Sequence, residues 1–279
     1  MEMPNAESYF ATARERYEIR LRKESGQEPP WTVDHIYREW RFCNVHREHD
    51  KTTIWFRENV RSKLKDPVAV TAATIIFRWF NKIETGEIIK DLLLEGMNFD
   101  IAEARNRLKD VTPLVTGAYM IKTVTGMNKL EGALWSIEDA LPHLPELVKG
   151  LGDSIEEAVA ALSTLSYLGA FMSYEVASDL RWTPVLKNAK DIMFWANPGP
   201  GCTRGIRRVT QLHFNRNVRE DVVEMNKYMR ELLAMSQDKK YWPQDWQKWE
   251  MREVEHWACE FHKYNNAMEG DRLKRRFNP

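Results

Sequence analysis

Apolar and aromatic residues recur along most of this chain at the spacing of an amphipathic helix, and almost nowhere at the alternating spacing of a strand. From Pro4 to Lys23, Tyr9, Phe10, Tyr17 and Ile19 stand among arginines and glutamates, which gives a helix one apolar side. Gly26 to Trp31, with Pro29 and Pro30, breaks that pattern. Thr32 or Asp34 then caps a second helix that carries Ile36, Trp40 and Val45. The run from Lys51 to Leu64 is helical in pattern, and Asp66-Pro67 opens another helix through Val68 to Phe80. Further helices are expected at about 84–94, 100–108, 130–138 and 153–161, and from Ala170 to Leu180 before the break at Arg181-Trp182-Thr183-Pro184. The best strand candidate, Tyr119 to Thr125 between Gly117 and Gly126, suffices for one short hairpin and not for a sheet. The expectation is an all-α fold, a single helical domain over residues 1–279 with room for two lobes.

Charge and hydropathy narrow the class. Lysine plus arginine and aspartate plus glutamate both total 41, so the chain is formally neutral, which argues against a polybasic coat or histone-like protein but permits a local basic face. No apolar run approaches the roughly 18 to 20 residues that cross a bilayer. The opening Met1 to Ser8 lacks the basic start and apolar run of a secretory signal, so a cytoplasmic location is expected. Cys43, Cys202 and Cys259 are too few and too dispersed for a disulfide framework.

Three segments carry chemistry. Asn197 to Arg208 holds Pro198, Gly199, Pro200, Gly201 and Gly205, a tight turn that can present successive backbone N–H groups at a helix N-terminus. Arg204, Arg207, Arg208, Arg216 and Arg219 follow with no acid from Cys202 until Glu220. The turn resembles that of a helix-hairpin-helix element, which grips DNA backbone, with a solvated basic helix as the bland alternative. In the second segment, Arg41, Asn44 and Arg47 fall at i, i+3 and i+6 on a helix, with Asp50 continuing that side. Two guanidiniums and an amide there suit a carboxylate or phosphate, and exposed ion pairing is the competing account. Cys43, His46 and His49 with Asp50 also have donor chemistry, but such positions on one helix diverge too far to close on one ion, so no metal site is expected. In the third segment, Glu255 and Cys259, Cys259 and Lys263, and His256 and Glu260 are each one helical turn apart. A histidine beside a carboxylate suits acid–base work near neutral pH, while an amphipathic structural helix fits the same pattern. Trp242, Trp246, Trp249, Trp257 and Phe261 read as core. The basic stretch Arg272 to Arg276 suits either phosphate contact or a solvated terminus.

These segments, in this order, resemble the α-glutamyl/putrescinyl thymine pyrophosphorylase family. Arg41-Phe42-Cys43-Asn44-Val45-His46-Arg47 with Asp50, then Gly199-Pro200-Gly201-Cys202 with Arg204-Gly205, then Glu255 to Phe261 with Lys263-Tyr264 carry the likeness. Ser173-Tyr174-Glu175-Val176 with Asp179-Leu180 fits a weaker fourth block, where glutamine is expected in place of Glu175. The resemblance implies a helical, DNA-glycosylase-like architecture and a phage enzyme of thymine hypermodification. It implies an amino acid:DNA transferase that replaces the (pyro)phosphate on 5-hydroxymethyluracil in double-stranded DNA with the amine of a donor such as glycine or serine. A 5-hydroxymethyluracil DNA kinase is then the expected companion, and no cofactor is called for. Under that reading Arg41, Asn44, Arg47, Asp50, Glu255, His256, Glu260 and Lys263 form the catalytic set. Gly199, Gly201, Arg204, Gly205, Arg207 and Arg208 hold DNA. A DNA glycosylase acting on a modified base, with Glu220 and Asp221 the acids nearest the turn, and a non-enzymatic DNA-binding protein are the competing functions.

Overall fold

The computed structural model describes residues 1–116, 124–273 and 275–277. Helix starts follow the polar side chains that can satisfy first-turn N–H groups. Asp34 accepts from Ile36 and Tyr37, Asp66 from Ala69, Asp100 from Glu103, Asn128 from Glu131 and Ser154 from Glu157. In chain order the helices are α1 (Ala6–Glu24), α2 (His35–Glu39), α3 (Lys51–Phe56), α4 (Pro67–Phe80), α5 (Ile83–Ile88), α6 (Lys90–Leu94) and α7 (Ile101–Leu108). They continue as α8 (Lys129–Ala140), α9 (Leu144–Gly150), α10 (Ile155–Leu162), α11 (Ala170–Leu180), α12 (Pro200–Thr210), α13 (Arg219–Met235) and α14 (Met251–Met268). The described residues contain no strand beyond an isolated antiparallel bridge between Trp40 and Arg276, so the fold is all-α as expected. The hairpin expected at 119–125 falls almost wholly outside the described residues. No helix among them is long and apolar enough to cross a membrane.

The chain divides into two compact units, one made of Met1–Asp50 with Ile192–Pro279 and the other of Lys51–Asp191. In the first, α1 and α14 share an aromatic core. Tyr9, Phe10, Trp242, Trp249, Trp257 and Phe261 are all buried, and Trp246 stacks on Tyr17 with ring centroids 4.4 Å apart. The Tyr9 hydroxyl donates to the Val254 carbonyl at 3.0 Å and the Trp257 indole to the Tyr9 carbonyl at 3.0 Å. Trp242, Trp249 and Trp257 are therefore core, as their spacing predicts, while Trp246 is half-buried.

In the second unit α4 is the centre. Every residue from Val70 to Phe80 is buried, which a helix apolar on all sides demands. The Arg78 guanidinium in this core meets both oxygens of the fully buried Asp179 on α11, and Arg61 approaches the same carboxylate at 3.4 Å. Arg78 also donates to Asn81 Oδ1 at 2.6 Å, where Asn81 ends α4 in the left-handed conformation. The fourth block of the family resemblance is thus a wholly buried helix face, with Glu175 and Asp179 inside it.

Two local expectations are corrected. The second helix stops at Glu39 and does not run to Val45. Trp40 is extended, the Arg41 N–H donates to the Arg275 carbonyl at 3.2 Å and the Phe277 N–H to the Glu39 carbonyl at 2.8 Å. Backbone partners from the far end of the chain outcompete the helical ones. The Arg276 guanidinium lies 5.5 Å from the Trp40 ring centroid, so this part of the basic stretch is tied down. Second, the proline–glycine turn is not a hairpin between helices, since the preceding helix ended at Leu180. The paired helices joined by a short turn are α10 and α11, where Tyr167 adopts φ +61° and Gly169 precedes the first residue of α11.

Candidate functional site

The first unit gathers most of the predicted catalytic residues around α14. On one side of that helix lies α12, brought into backbone contact by two glycines one turn apart. A Cβ on Gly205 would stand 1.9 Å from the Ala258 carbonyl oxygen, and one on Gly201 would stand 2.2 Å from Cys259 Sγ. These glycines permit close helix packing, a purpose that needs no bound anion. The same approach puts Gly199, at the start of α12, beside the Glu255 carboxylate. Glu255 is paired with Arg252.

The other side of α14 receives residues 41–50, which are extended and end in a single 3-10 turn at Arg47–His49. Arg41, Asn44 and Arg47 therefore do not share a helix face. The Arg41 side chain is exposed, while its carbonyl accepts from Lys263 Nζ. Lys263 also donates to Glu260 at 3.2 Å, and Glu260 accepts the Cys43 N–H at 2.9 Å. The Asp50 carboxylate accepts the Asn44 N–H at 3.0 Å and the Asn44 amide at 3.2 Å, and that amide also donates to the His49 carbonyl at 2.7 Å. Asn44 thus spends its donors inside the turn and not on a base edge. Its carbonyl meets His256 Nε2 at 3.1 Å.

Electrostatics fix the protonation states at neutral pH. Burial raises Glu260, but Lys263, His256 and the Cys43 N–H outweigh it and hold the carboxyl below its usual range. Burial lowers Lys263, yet Glu260 and the neighbouring thiols keep the ammonium above its usual value. Burial and Arg252 hold His256 below its usual value, so its imidazole is neutral. Burial also raises both thiols, Cys43 well above its ordinary value and Cys259 to about 12, which removes them as nucleophiles in the absence of another activating charge. Arg47 is buried and faces His256. Arg16, absent from the sequence-based set, comes from α1 to face Asp50, Cys43 and Glu260. Its place in an amphipathic pattern reads as solvated, and no local signal marks it.

The basic strip is only partly open. Arg207 donates to the Phe214 carbonyl, and Arg208 is held by Glu269, Asn266 and His262. Arg204, Arg216 and Arg219 are exposed.

Comparison with known proteins adds the family. The family described as the 5-hmdU DNA kinase, helical domain, matches residues 4–272. The 5-hmdU DNA kinase of Bacillus phage SP10 is 29% identical over 286 residues, which cover 92% of this chain and 44% of that relative. The chain therefore spans less than half the length of the curated relative it matches. No solved structure matches. These findings overturn the pyrophosphorylase family and the amino acid:DNA transferase expected from sequence. The kinase expected as a companion is instead the relative in which this helical domain is found. In the fold, the blocks at 41–50, 199–205 and 255–264 form the seam where α12 and the turn pack on α14, so their residue pattern reflects packing and does not by itself identify chemistry.

Proposed function

The chain belongs to the family of the 5-hmdU DNA kinase helical domain, and we propose that it holds DNA and presents a 5-hydroxymethyluracil base for phosphorylation in phage DNA modification. The match over residues 4–272 carries this reading, because it embraces nearly the whole chain. The phosphorylating activity of a complete enzyme, and its substrate, are part of the same proposal, since the chain covers 44% of the relative.

The chemistry of the cluster supports it. The acceptor would be a primary alcohol on C5 of a pyrimidine, which projects into the major groove of a duplex and enters an enclosed pocket when the nucleotide is turned out of the helix. Phosphoryl transfer to an alcohol needs a carboxylate that orients the hydroxyl and takes its proton, with cations placed against the incoming charge. Glu260 is kept ionised, and Arg16 and Arg47 supply guanidiniums in the same neighbourhood. Lys263 holds Glu260 in place. Exposed Arg204, Arg216 and Arg219 suit the phosphate backbone, which positions DNA without reading sequence.

The test uses two fluorescent duplexes that differ by one hydroxymethyl group. The chain is expected to bind the 5-hydroxymethyluracil duplex about tenfold more tightly than the thymine duplex, the equivalent of one charge-assisted hydrogen bond. Glu260→Gln should bring the two affinities together while leaving thymine binding unchanged. Equal affinity of the unaltered chain for both duplexes refutes the proposal.

A further inference from the structure

Cys43, Asp50 and His256 bring a thiol, a carboxylate and an imidazole to one place, with donor atoms that all lie within 4.8 Å of one another and side chains that are half-buried. We propose that these three residues form a binding site for a zinc-class divalent ion. The inference is independent of the DNA reading, and its test uses neither DNA nor nucleotide.

The donors come from separate segments: the extended stretch after α2, the end of the 3-10 turn, and the second turn of α14. This is the arrangement that a single helix carrying Cys43, His46 and His49 cannot provide, and the absence of a helix there removes the sequence-based argument against an ion. Zinc bonds sulfur at about 2.3 Å and nitrogen or oxygen at about 2.0–2.2 Å, so tetrahedral donors stand roughly 3.3–3.7 Å apart. Reaching that spacing from 4.8 Å asks each donor of the widest pair to move inward by less than about 1 Å, within the reach of side-chain rotation. A mixed thiolate, imidazole and carboxylate set favours zinc over magnesium or calcium, which take oxygen ligands. Three protein ligands leave a fourth position for water or a substrate oxygen.

Asn44 donates twice to one oxygen of Asp50, through its backbone N–H and its side-chain amide, leaving the other oxygen available, and its backbone carbonyl meets His256 Nε2, a contact that metal binding through Nδ1 would leave in place. One residue therefore orients two ligands, the role that outer-shell hydrogen bonds play in metal sites. The surrounding charges are mixed. Glu260 and Asp50 face Cys43, as do Lys263 and Arg16, while Arg47 and Arg252 face His256. Lys263 and Arg252 are already paired with Glu260 and Glu255. Binding forms a sulfur–metal bond as the Cys43 S–H proton leaves for solvent, so one proton is released for each ion bound.

Cobalt(II) is the probe, titrated into metal-free chain. One equivalent should produce the near-ultraviolet thiolate-to-cobalt charge-transfer band, and zinc should displace it. Cys43→Ser and His256→Gln should abolish the band, Cys259→Ser should retain it, and Asn44→Ala, which removes the side-chain donor to Asp50 and keeps both backbone contacts, should weaken cobalt binding about tenfold. A second measurement needs no variant: zinc should protect Cys43, and not Cys259, from alkylation of the unaltered chain. Absence of the band at stoichiometric cobalt, its persistence in Cys43→Ser, or alkylation of Cys43 indifferent to zinc overturns the site.

Discussion

Asp179 has no exposed surface, and its two oxygens are shared between Arg78 and Arg61 inside the second unit. Removing the carboxylate takes from two buried guanidiniums a counter-charge that both share, which costs more than the ion pair itself contributes. Asp179→Ala is therefore expected to lower stability by about 3–5 kcal/mol, read as a shift in the urea midpoint. At the surface the outcome differs. Arg204→Ala should leave stability unchanged and lower the salt-dependence slope of DNA binding by about one, as expected when one phosphate contact is lost, whereas Arg208→Ala breaks the link to Glu269 and costs stability instead. Residue types in the sequence reveal that Arg47, His256, Glu260 and Lys263 have the right chemistry. They do not reveal Arg16, whose neighbours Asp50 and Glu260 are supplied by distant segments. Nor do they reveal that Asn44 is an internal clamp, because that role depends on a turn no local pattern announces.

At the scale of elements, the helices were readable wherever a capping side chain meets a periodic apolar run, as at Asp66 before α4 and Asn128 before α8. The stretch 41–50 was not, since its conformation is decided by pairing with residues 275–277 and by docking on α14. The glycines of α12 stand out in the sequence by their abundance, and their packing role becomes visible only once α14 lies against them. The two positions can be separated experimentally. Gly201→Ala collides with the Cys259 side chain, so Cys259→Ala should restore part of the lost stability. Gly205→Ala collides with backbone at Ala258, which no side-chain change relieves, and should cost about 3 kcal/mol in either background. Equal rescue of both by Cys259→Ala would show that the close approach of α12 and α14 is not what these glycines serve.

The stability of the whole molecule depends on pH through groups that oppose one another. Burial and His49 hold His46 down from the usual 6.5 to about 3. The unfolded chain therefore binds the extra proton between about pH 3 and 6.5, and this contribution is full above 6.5 and lost as pH falls. Burial raises Glu253 from 4.5 to about 7. Here the folded chain binds the extra proton, so the contribution is full below about 4.5 and lost as pH rises through 7. The slopes, each at most about 1.4 kcal/mol per pH unit, have opposite signs across the shared window, while His256 and His262 add to the sign of His46. Glu253→Gln should steepen the rise of stability with pH between 4.5 and 6.5, and His46→Gln should flatten it. Urea midpoints measured across that range decide the matter, and parallel profiles for the two variants would contradict the assignment.

The first unit is made of two stretches, Met1–Asp50 and Ile192–Pro279, which the uninterrupted second unit separates in sequence. Trp257, whose indole donates to the Tyr9 carbonyl in the aromatic core, follows Tyr9 by 248 residues. At about 5–20 residues per second, α1 leaves the ribosome on the order of ten to fifty seconds before α14 exists to cover it. Through that interval its aromatic side is naked to chaperones, while the segment Lys51–Asp191 is already complete and able to collapse on its own α4. The birth order of the polypeptide thus completes the second unit before the candidate site can close.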